Sequence, residues 1–417
     1  MITRLERLPQ PLWPQMINAA GRALHRVGAA PEPFDAFALI EDARRRAGFD
    51  DFGPAPLVEP LQVLLSAYRE EAQLSFLGRL SARRHLQRLL EARLAVEADR
   101  VRIPAIAEER ISRPLVIFGL PRSGTTLLHR LLALDPDNSV PRVWEATAPS
   151  PPPGPASEND PRIARVDRQL RWLTRLSPEV RTAHPLEARL PQECVALLAY
   201  SLQSPQFHTT HHVPSYKAWL ERQDPRPAYA YHRRMLQHLQ WRRPGRRWVL
   251  KAPAHLFALD ALCTTYPDAV LVQCHRDPRP ALASTASLIA ALRRAFSETV
   301  EPRRFGPVLI ERWAAGLERA AELRAADAEL ERRTLDLQHA EIMRDPVGAI
   351  RRIYAHWQLP LSDRAAAHMR RFAAANPRDK NGVHRYSAAD FGLDGPEVQE
   401  RFAGYRERFR VAPETPV

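Results

Sequence analysis

From about Phe34 to Ala107, apolar residues recur at helical spacing, as in Leu61, Leu64, Leu65 and Tyr68 and again in Leu80, Leu86, Leu89 and Leu90. This pattern predicts an N-terminal helical region over residues 1–112. Pro104 and the pair Arg113-Pro114 punctuate its end, and the pattern changes there. Leu115, Val116, Ile117 and Phe118 form a continuous apolar run between proline and glycine, as expected of a strand buried on both faces. Three more short runs, Trp248 to Lys251, Ala269 to Cys274 and Thr334 to Gln338, are separated by stretches of helical period. Strands alternating with helices predict an α/β fold with a parallel sheet over residues 113–417. A long insertion at about 140–245 separates the first two strands; it is helical in pattern and contains Pro149, Pro151, Pro152, Pro153 and Pro155. Such an insertion is expected to cover a site or cap a sheet edge. Amphipathic helices are predicted from about Asp345 to Ala375 and from Pro396 to Phe409, and there is no internal repeat.

Composition narrows the class. Hydrophobic residues make up 45% and charged residues 26% of 417 residues, which is ordinary globular usage and excludes wholesale disorder. The formal charge is +13, and of 61 basic residues only Lys217, Lys251 and Lys380 are lysine. A basic surface concentrates anionic ligands without naming them. The basic residues are interleaved with acids and match no zinc-finger or ribonucleoprotein pattern, so nucleic acid is not the expected partner. Cys194, Cys263 and Cys274 are widely spaced and free of Cys-x-x-Cys, which predicts neither a disulfide framework nor a zinc site. The first thirty residues lack a signal-peptide apolar stretch, and no run approaches the roughly 18 to 20 apolar residues of a membrane span. The expectation is a cytoplasmic protein with no membrane span.

The chemistry begins after the first strand, where the chain reads Gly119, Leu120, Pro121, Arg122, Ser123, Gly124, Thr125, Thr126. A buried strand, a glycine-bracketed turn and a helix opening at Thr125 form a nest of backbone N–H groups at the positive end of a helix dipole, which calls for an anion. The spacing Gly119-x-x-x-x-Gly124 is that of nucleotide-triphosphatase loops, so the sheet is P-loop-like, yet Thr125 stands where those loops have lysine. Arg122 supplies charge from inside the loop, and Ser123, Thr125 and Thr126 supply hydroxyl donors. A planar fork of N–H donors suits a tetrahedral anion. An ordinary Ser/Thr-capped helix after a strand is the plainer reading of the same residues.

The run Pro121-Arg122-Ser123-Gly124-Thr125-Thr126 resembles the 5′-phosphosulfate loop of the sulfotransferases that use PAPS, 3′-phosphoadenosine 5′-phosphosulfate. The arginine form is similar to the tyrosylprotein branch and to many bacterial members rather than to the lysine-bearing cytosolic branch. The resemblance covers about Pro114 to Phe409, with its specific motifs within Gly119 to Glu145 and Lys251 to Ser284. It implies PAPS as donor, with Arg122, Ser123, Gly124, Thr125 and Thr126 on the phosphosulfate. It also implies that Arg276, which ends the run Val270 to His275, and Ser284, eight residues on, clamp the 3′-phosphate. An Arg276-Asp277 surface pair is the plainer alternative.

Sulfuryl transfer needs positive charge near the bridging oxygen and a base for the acceptor proton, and by analogy with phosphoryl transfer, positioning and electrostatics dominate. Lys251 ends its strand and lies 25 residues before Arg276, the spacing of the catalytic lysine in the tyrosylprotein branch. Two candidates stand for the base. Glu145 lies 23 residues after Arg122, near the catalytic glutamate of that branch; a helix-start or salt-bridge carboxylate is the competing reading. The cytosolic branch uses a histidine two residues after its lysine, a position held here by Pro253, and His255 two further on is the reserve. His184, Glu187 and Glu193 resemble a segment that bacterial members place near the acceptor. Trp172, Tyr200, Phe207, Tyr216 and Trp219 are candidates for an apolar acceptor pocket or for core. The cytosolic branch closes over the 3′-phosphate with a basic glycine-bearing segment, and by that resemblance Lys380 and Arg385 are candidates for the same role, with a solvated linker as the equal alternative. His208, His211 and His212 lack companion ligands, and the implied chemistry needs no metal. The expected acceptor is a hydroxyl or amine of a small molecule or peptide; a small-molecule kinase and a silent nucleotide-binding protein are the rival readings.

Overall fold

The structure, a computed structural model, describes residues 12–26, 34–155, 157–176, 187–243, 245–376 and 387–414. Four helices come first: α1 (Leu12–Arg26), α2 (Ala36–Ala47), α3 (Val58–Glu70) and α4 (Phe76–Arg102). Strand β1 (Leu115–Gly119) follows, then α5 (Thr125–Leu132), β2 (Asn138–Ser139), α6 (Val143–Thr147) and α7 (Pro161–Leu176). After further insertion helices come β3 (Arg247–Lys251), β4 (Val270–His275) and β5 (Thr334–Gln338). The five strands form one sheet in the order β2-β3-β1-β4-β5, every neighbouring pair parallel. The predicted α/β architecture is therefore present. The sequence predicts four of these strands; β2 is two residues long and polar, so it has no period to read and exists through its pairing with β3.

Alternation along the strands makes the sheet a two-sided core. Leu115 and Ile117 of β1 join Val249, Val270 and Val272 beneath α5, while Val116 and Phe118 join Leu250 and Leu271 on the opposite face. That second face is continuous with apolar side chains of α2, α3 and α4, so the N-terminal helices share a core with the sheet. Arg93 of α4 ties this region together from inside: it is 1% exposed and donates to the carbonyls of Phe52 at 2.6 Å, Ala55 at 2.5 Å and Tyr200 at 3.0 Å. A buried guanidinium spending its donors on carbonyls fixes their relative positions, since each lost bond would leave a desolvated polar group.

Because all strands are parallel, Gly119, Lys251, His275 and Gln338 sit at one edge of the sheet, the carboxyl edge, where open α/β sheets hold their ligands. Among the described residues no helix is long and apolar enough to cross a membrane.

Candidate active site

The loop between β1 and α5 takes its shape from two glycines and one strained arginine. Gly119 has φ +125°, and a Cβ there would lie 2.2 Å from the Cys274 carbonyl oxygen of the adjoining β4. Gly124 has φ +93° and stands immediately before α5. Arg122 has φ +65°, a conformation costly for a residue with a Cβ. Ser123 is buried and donates to the Leu120 carbonyl at 2.6 Å, closing the turn on itself. The first N–H groups of α5 have no partners within the helix, so the loop gathers donors at the dipole's positive end.

Tertiary contacts bring the second predicted anchor to this loop. Arg122 Nε donates to Ser284 Oγ at 3.0 Å, and Arg276 Nη1 donates to the Arg122 carbonyl at 2.8 Å. Asp277 accepts from the Arg279 N–H at 3.3 Å and starts the helix Pro278–Arg294, which carries Ser284 one face inward. Arg122, Arg276 and Ser284 thus form one connected group, although 154 residues separate the two arginines.

Arg276 also has a partner that no sequence spacing announces. Its Nε and Nη2 each donate to the carboxylate of Glu414 at 2.8 Å, while the Glu414 N–H donates to Asp277 at 2.7 Å. His339 Nδ1 lies 3.4 Å from the same carboxylate. Burial would raise the Glu414 carboxyl, but His339 and Arg276 outweigh it and hold the group down to about 2. A bidentate carboxylate on an arginine fork has the geometry of two phosphate oxygens. Beside it, Asp277, Arg279, Val398, Gln399, Arg406, Pro413 and Glu414 line a cavity of about 220 Å³.

Lys251 closes the group from β3. Its side chain is 2% exposed, and Nζ lies 3.3 Å from Thr126 Oγ1 and forms an ion pair with Glu193. Glu193 precedes the helix Cys194–Leu198 and is partly exposed, with 27% of its side chain open to solvent. A lysine touching the first turn of α5 on one side and a carboxylate on the other is a charge pair poised at the loop.

The two expected bases have other occupations. Glu145 is 0% exposed; it accepts from the Arg142 N–H at 2.9 Å and from Arg243 Nη1 at 2.7 Å, capping α6. The helix-start, salt-bridge reading of this residue is the one the geometry displays, and Arg243 is a partner the sequence did not indicate. His255 is likewise buried, with Nδ1 bonded to the Tyr229 hydroxyl at 2.7 Å. Burial, then His232 and Lys251, push its imidazole down to about 3, which keeps it neutral and a weak proton acceptor. Sequence reasoning placed Glu193 on the acceptor side and missed its contact with Lys251, which spans 58 residues and leaves no local signal.

The other candidates divide. Tyr200, Phe207, Tyr216 and Trp219 belong to the core, whereas Trp172 is exposed on α7. His211 Nδ1 bonds to the hydroxyls of Thr210 at 2.9 Å and Tyr68 at 3.3 Å, and among the described residues no group of three or more His, Cys, Asp or Glu could hold a metal. His184, Lys380 and Arg385 lie outside the described residues.

Residues 114–363 match the sulfotransferase family. Two curated mycobacterial proteins, the omega-hydroxy-beta-dihydromenaquinone-9 sulfotransferases Stf3 of Mycobacterium bovis and Mycobacterium tuberculosis, are each 26% identical over 255 residues, 58% of this chain. The matched stretch spans 62% of the length of those relatives. Among solved structures, sulfotransferase STF1 of Mycobacterium tuberculosis aligns with a TM-score of 0.78 and 37% identity, covering 89% of this chain and 98% of that one. Sulfotransferase STF9 of Mycobacterium avium aligns with a TM-score of 0.83 and 26% identity, covering 92% and 98%.

Proposed function

The chain belongs to the sulfotransferase family, and we propose that it moves a sulfuryl group from PAPS to a hydroxyl or amine acceptor. The observation that carries this reading is the joined group of Arg122, Arg276 and Ser284 around a helix N-terminus that has a threonine in place of the nucleotide-triphosphatase lysine. Two anion-binding points within one hydrogen-bonded group suit a donor with a 5′-phosphosulfate and a separate 3′-phosphate. In the proposed assignment the N–H groups from Ser123 to Thr126 and the hydroxyls of Thr125 and Thr126 receive the phosphosulfate, the Ser123 hydroxyl being already committed to the Leu120 carbonyl, and Arg276 with Ser284 receives the 3′-phosphate. The arginine at 122 and the Lys251 to Arg276 spacing support a likeness to the tyrosylprotein branch.

The transfer breaks the bond between sulfur and the donor's phosphate oxygen and forms one between sulfur and the acceptor oxygen or nitrogen. Lys251 stabilises charge that develops on the leaving phosphate oxygen, and the acceptor proton passes to a carboxylate. We assign that role to Glu193 in preference to Glu145, because Glu193 stands beside Lys251 with part of its side chain open, whereas Glu145 is enclosed by Arg142 and Arg243. Proton transfer to a positioned carboxylate and charge stabilisation by a fixed ammonium are the two contributions this chemistry needs. The curated relatives are named for a hydroxylated menaquinone, so a hydroxyl on an apolar acceptor is the class to assay first.

Calorimetric titration tests the donor assignment. Binding of 3′,5′-adenosine bisphosphate with no response to ATP and magnesium is expected; the reverse outcome would put a kinase first. Transfer of labelled sulfate from PAPS to hydroxylated acceptors then tests the reaction.

A further inference from the structure

Among the described residues, helix α1 leaves an apolar face without a partner. Its inner side rests on α4: Gly21 meets the Phe76 ring, where a Cβ would lie 2.1 Å from a ring carbon, and Asn18 Oδ1 accepts from the Leu77 N–H at 3.0 Å. Leu12 and Met16, one turn apart on the outer side, are 75% and 72% exposed, and Ile17 is 38% exposed. No acidic residue occurs between Leu12 and Arg26. Large side chains so open on neighbouring turns cost water contact unless something covers them.

Helix α7 extends this face and gives it a charge. The Trp13 and Trp172 rings lie 5.1 Å apart, joining α1 to α7, and Trp172 is itself 51% exposed. Around Trp172, Arg165, Arg168, Arg171 and Arg175 are all exposed. The helix has one acid, Asp167, whose carboxylate accepts from the Ala188 N–H at 2.8 Å. Helix α4 contributes a stripe at four-residue spacing: Phe76 under α1, then exposed Leu80, exposed Arg84, and Arg88, whose Nη1 donates to Gln169 of α7 at 3.3 Å. The Arg88 guanidinium is held below its ordinary value by burial first and by Arg84 and Arg165, against the opposing pull of Glu91, as expected where like charges gather.

We infer that the face formed by α1, α7 and the first half of α4 docks on an anionic lipid bilayer, with Leu12, Met16 and Trp172 entering the headgroup boundary and the arginines meeting lipid phosphates. An apolar stripe edged by arginine and tryptophan is the composition of helices that lie in a membrane interface. Charge argues for this occupant over a second copy of the chain. Self-pairing would set one arginine-rich α7 near another, whereas an anionic surface covers the apolar stripe and neutralises its rim together. The surface is argued from exposure and charge and does not depend on the sulfotransferase reading.

Flotation of the full chain with vesicles tests the inference. The protein should float with vesicles of equal parts phosphatidylcholine and phosphatidylglycerol, remain behind with phosphatidylcholine alone, and lose binding as salt rises. Two separate double variants, Leu12→Glu with Met16→Glu and Arg168→Glu with Arg171→Glu, should each weaken vesicle binding at least about tenfold. All four positions are exposed, so far-UV circular dichroism should match that of the parent. Failure to float with the anionic vesicles overturns the inference, as does binding that neither double variant weakens. A dimer in sedimentation that the Leu12→Glu, Met16→Glu variant dissolves assigns the face to a second copy and equally overturns it.

Discussion

Neutralising Glu414 should tighten the binding of 3′,5′-adenosine bisphosphate. In the proposed assignment the 3′-phosphate and the Glu414 carboxylate compete for Arg276, because the carboxylate holds both Nε and Nη2 at 2.8 Å. The arginine side chain is 9% exposed and that of Glu414 is 32% exposed, so the pair is partly shielded from water. Hydrogen bonds to charged groups contribute about 1.5–3 kcal/mol net. Ordering the terminal segment offsets part of this, at roughly 1–2 kcal/mol for each fixed residue. A net preference of about 1–2 kcal/mol for the covered arginine would leave roughly 3–15% of molecules open and raise the apparent Kd by about 5-fold to 30-fold. Glu414→Gln retains the shape and removes the charge; Glu414→Ala removes both. Each should recover several-fold affinity by calorimetry, with Arg276→Ala as the opposite control. The sign with pH follows from the depressed carboxyl: closure is complete above the usual carboxylate value of 4.5 and is lost as pH falls towards about 2, so Glu414 adds no pH dependence between pH 6 and 8. Unchanged affinity in both Glu414 variants, with Arg276→Ala still weakening binding, would refute competition at this arginine. Unchanged affinity in Arg276→Ala would refute the clamp itself.

Three further outcomes are expected. Arg276→Ala should cost about 2–3 kcal/mol in affinity for 3′,5′-adenosine bisphosphate, and Ser284→Ala about 1 kcal/mol, both read by calorimetry on folded protein. Lys251→Ala and Glu193→Gln should each lower kcat by about 10²-fold or more with donor affinity little changed, whereas Glu145→Ala should act on stability, by roughly 3–5 kcal/mol in denaturant unfolding, because it strips Arg243 of its buried partner. A larger kcat loss in Glu145→Gln than in Glu193→Gln, at equal stability, would reverse the assignment of the base. Gly119→Ala should destabilise the chain by about 2 kcal/mol or more, since the new methyl meets the Cys274 carbonyl at 2.2 Å and the backbone is held at φ +125°; an unchanged Tm would refute that account.

Legibility followed the range of each interaction. The strand of β1 reads directly because four consecutive apolar residues have few other places to go, and the adjoining Gly119 and Gly124 announce a turn with positive φ. Lys251 stands out because arginine provides nearly every other basic side chain. Glu145 illustrates the opposite case. A carboxylate three residues into a short helix has the same sequence signature whether it caps the helix or accepts a proton, and the approach of Arg243, 98 residues away, is visible only in the tertiary structure. The contacts of Glu193 with Lys251 and of Glu414 with Arg276 are equally non-local, and neither has a spacing rule.

The sequence by itself determined the parts that depend on neighbours along the chain: the helical start, the buried strands, the glycine-bracketed loop and the identity of its arginine. Tertiary structure alone decided which charges meet. The parallel order of the sheet brings Gly119, Lys251 and His275 to one edge, the long insertion returns Glu193 to Lys251, and Glu414 lies on Arg276. The physical reason is that backbone geometry and hydrophobic period act over a few residues, whereas a charged side chain is satisfied by whichever partner packing carries within about 3 Å of it, at any distance along the chain.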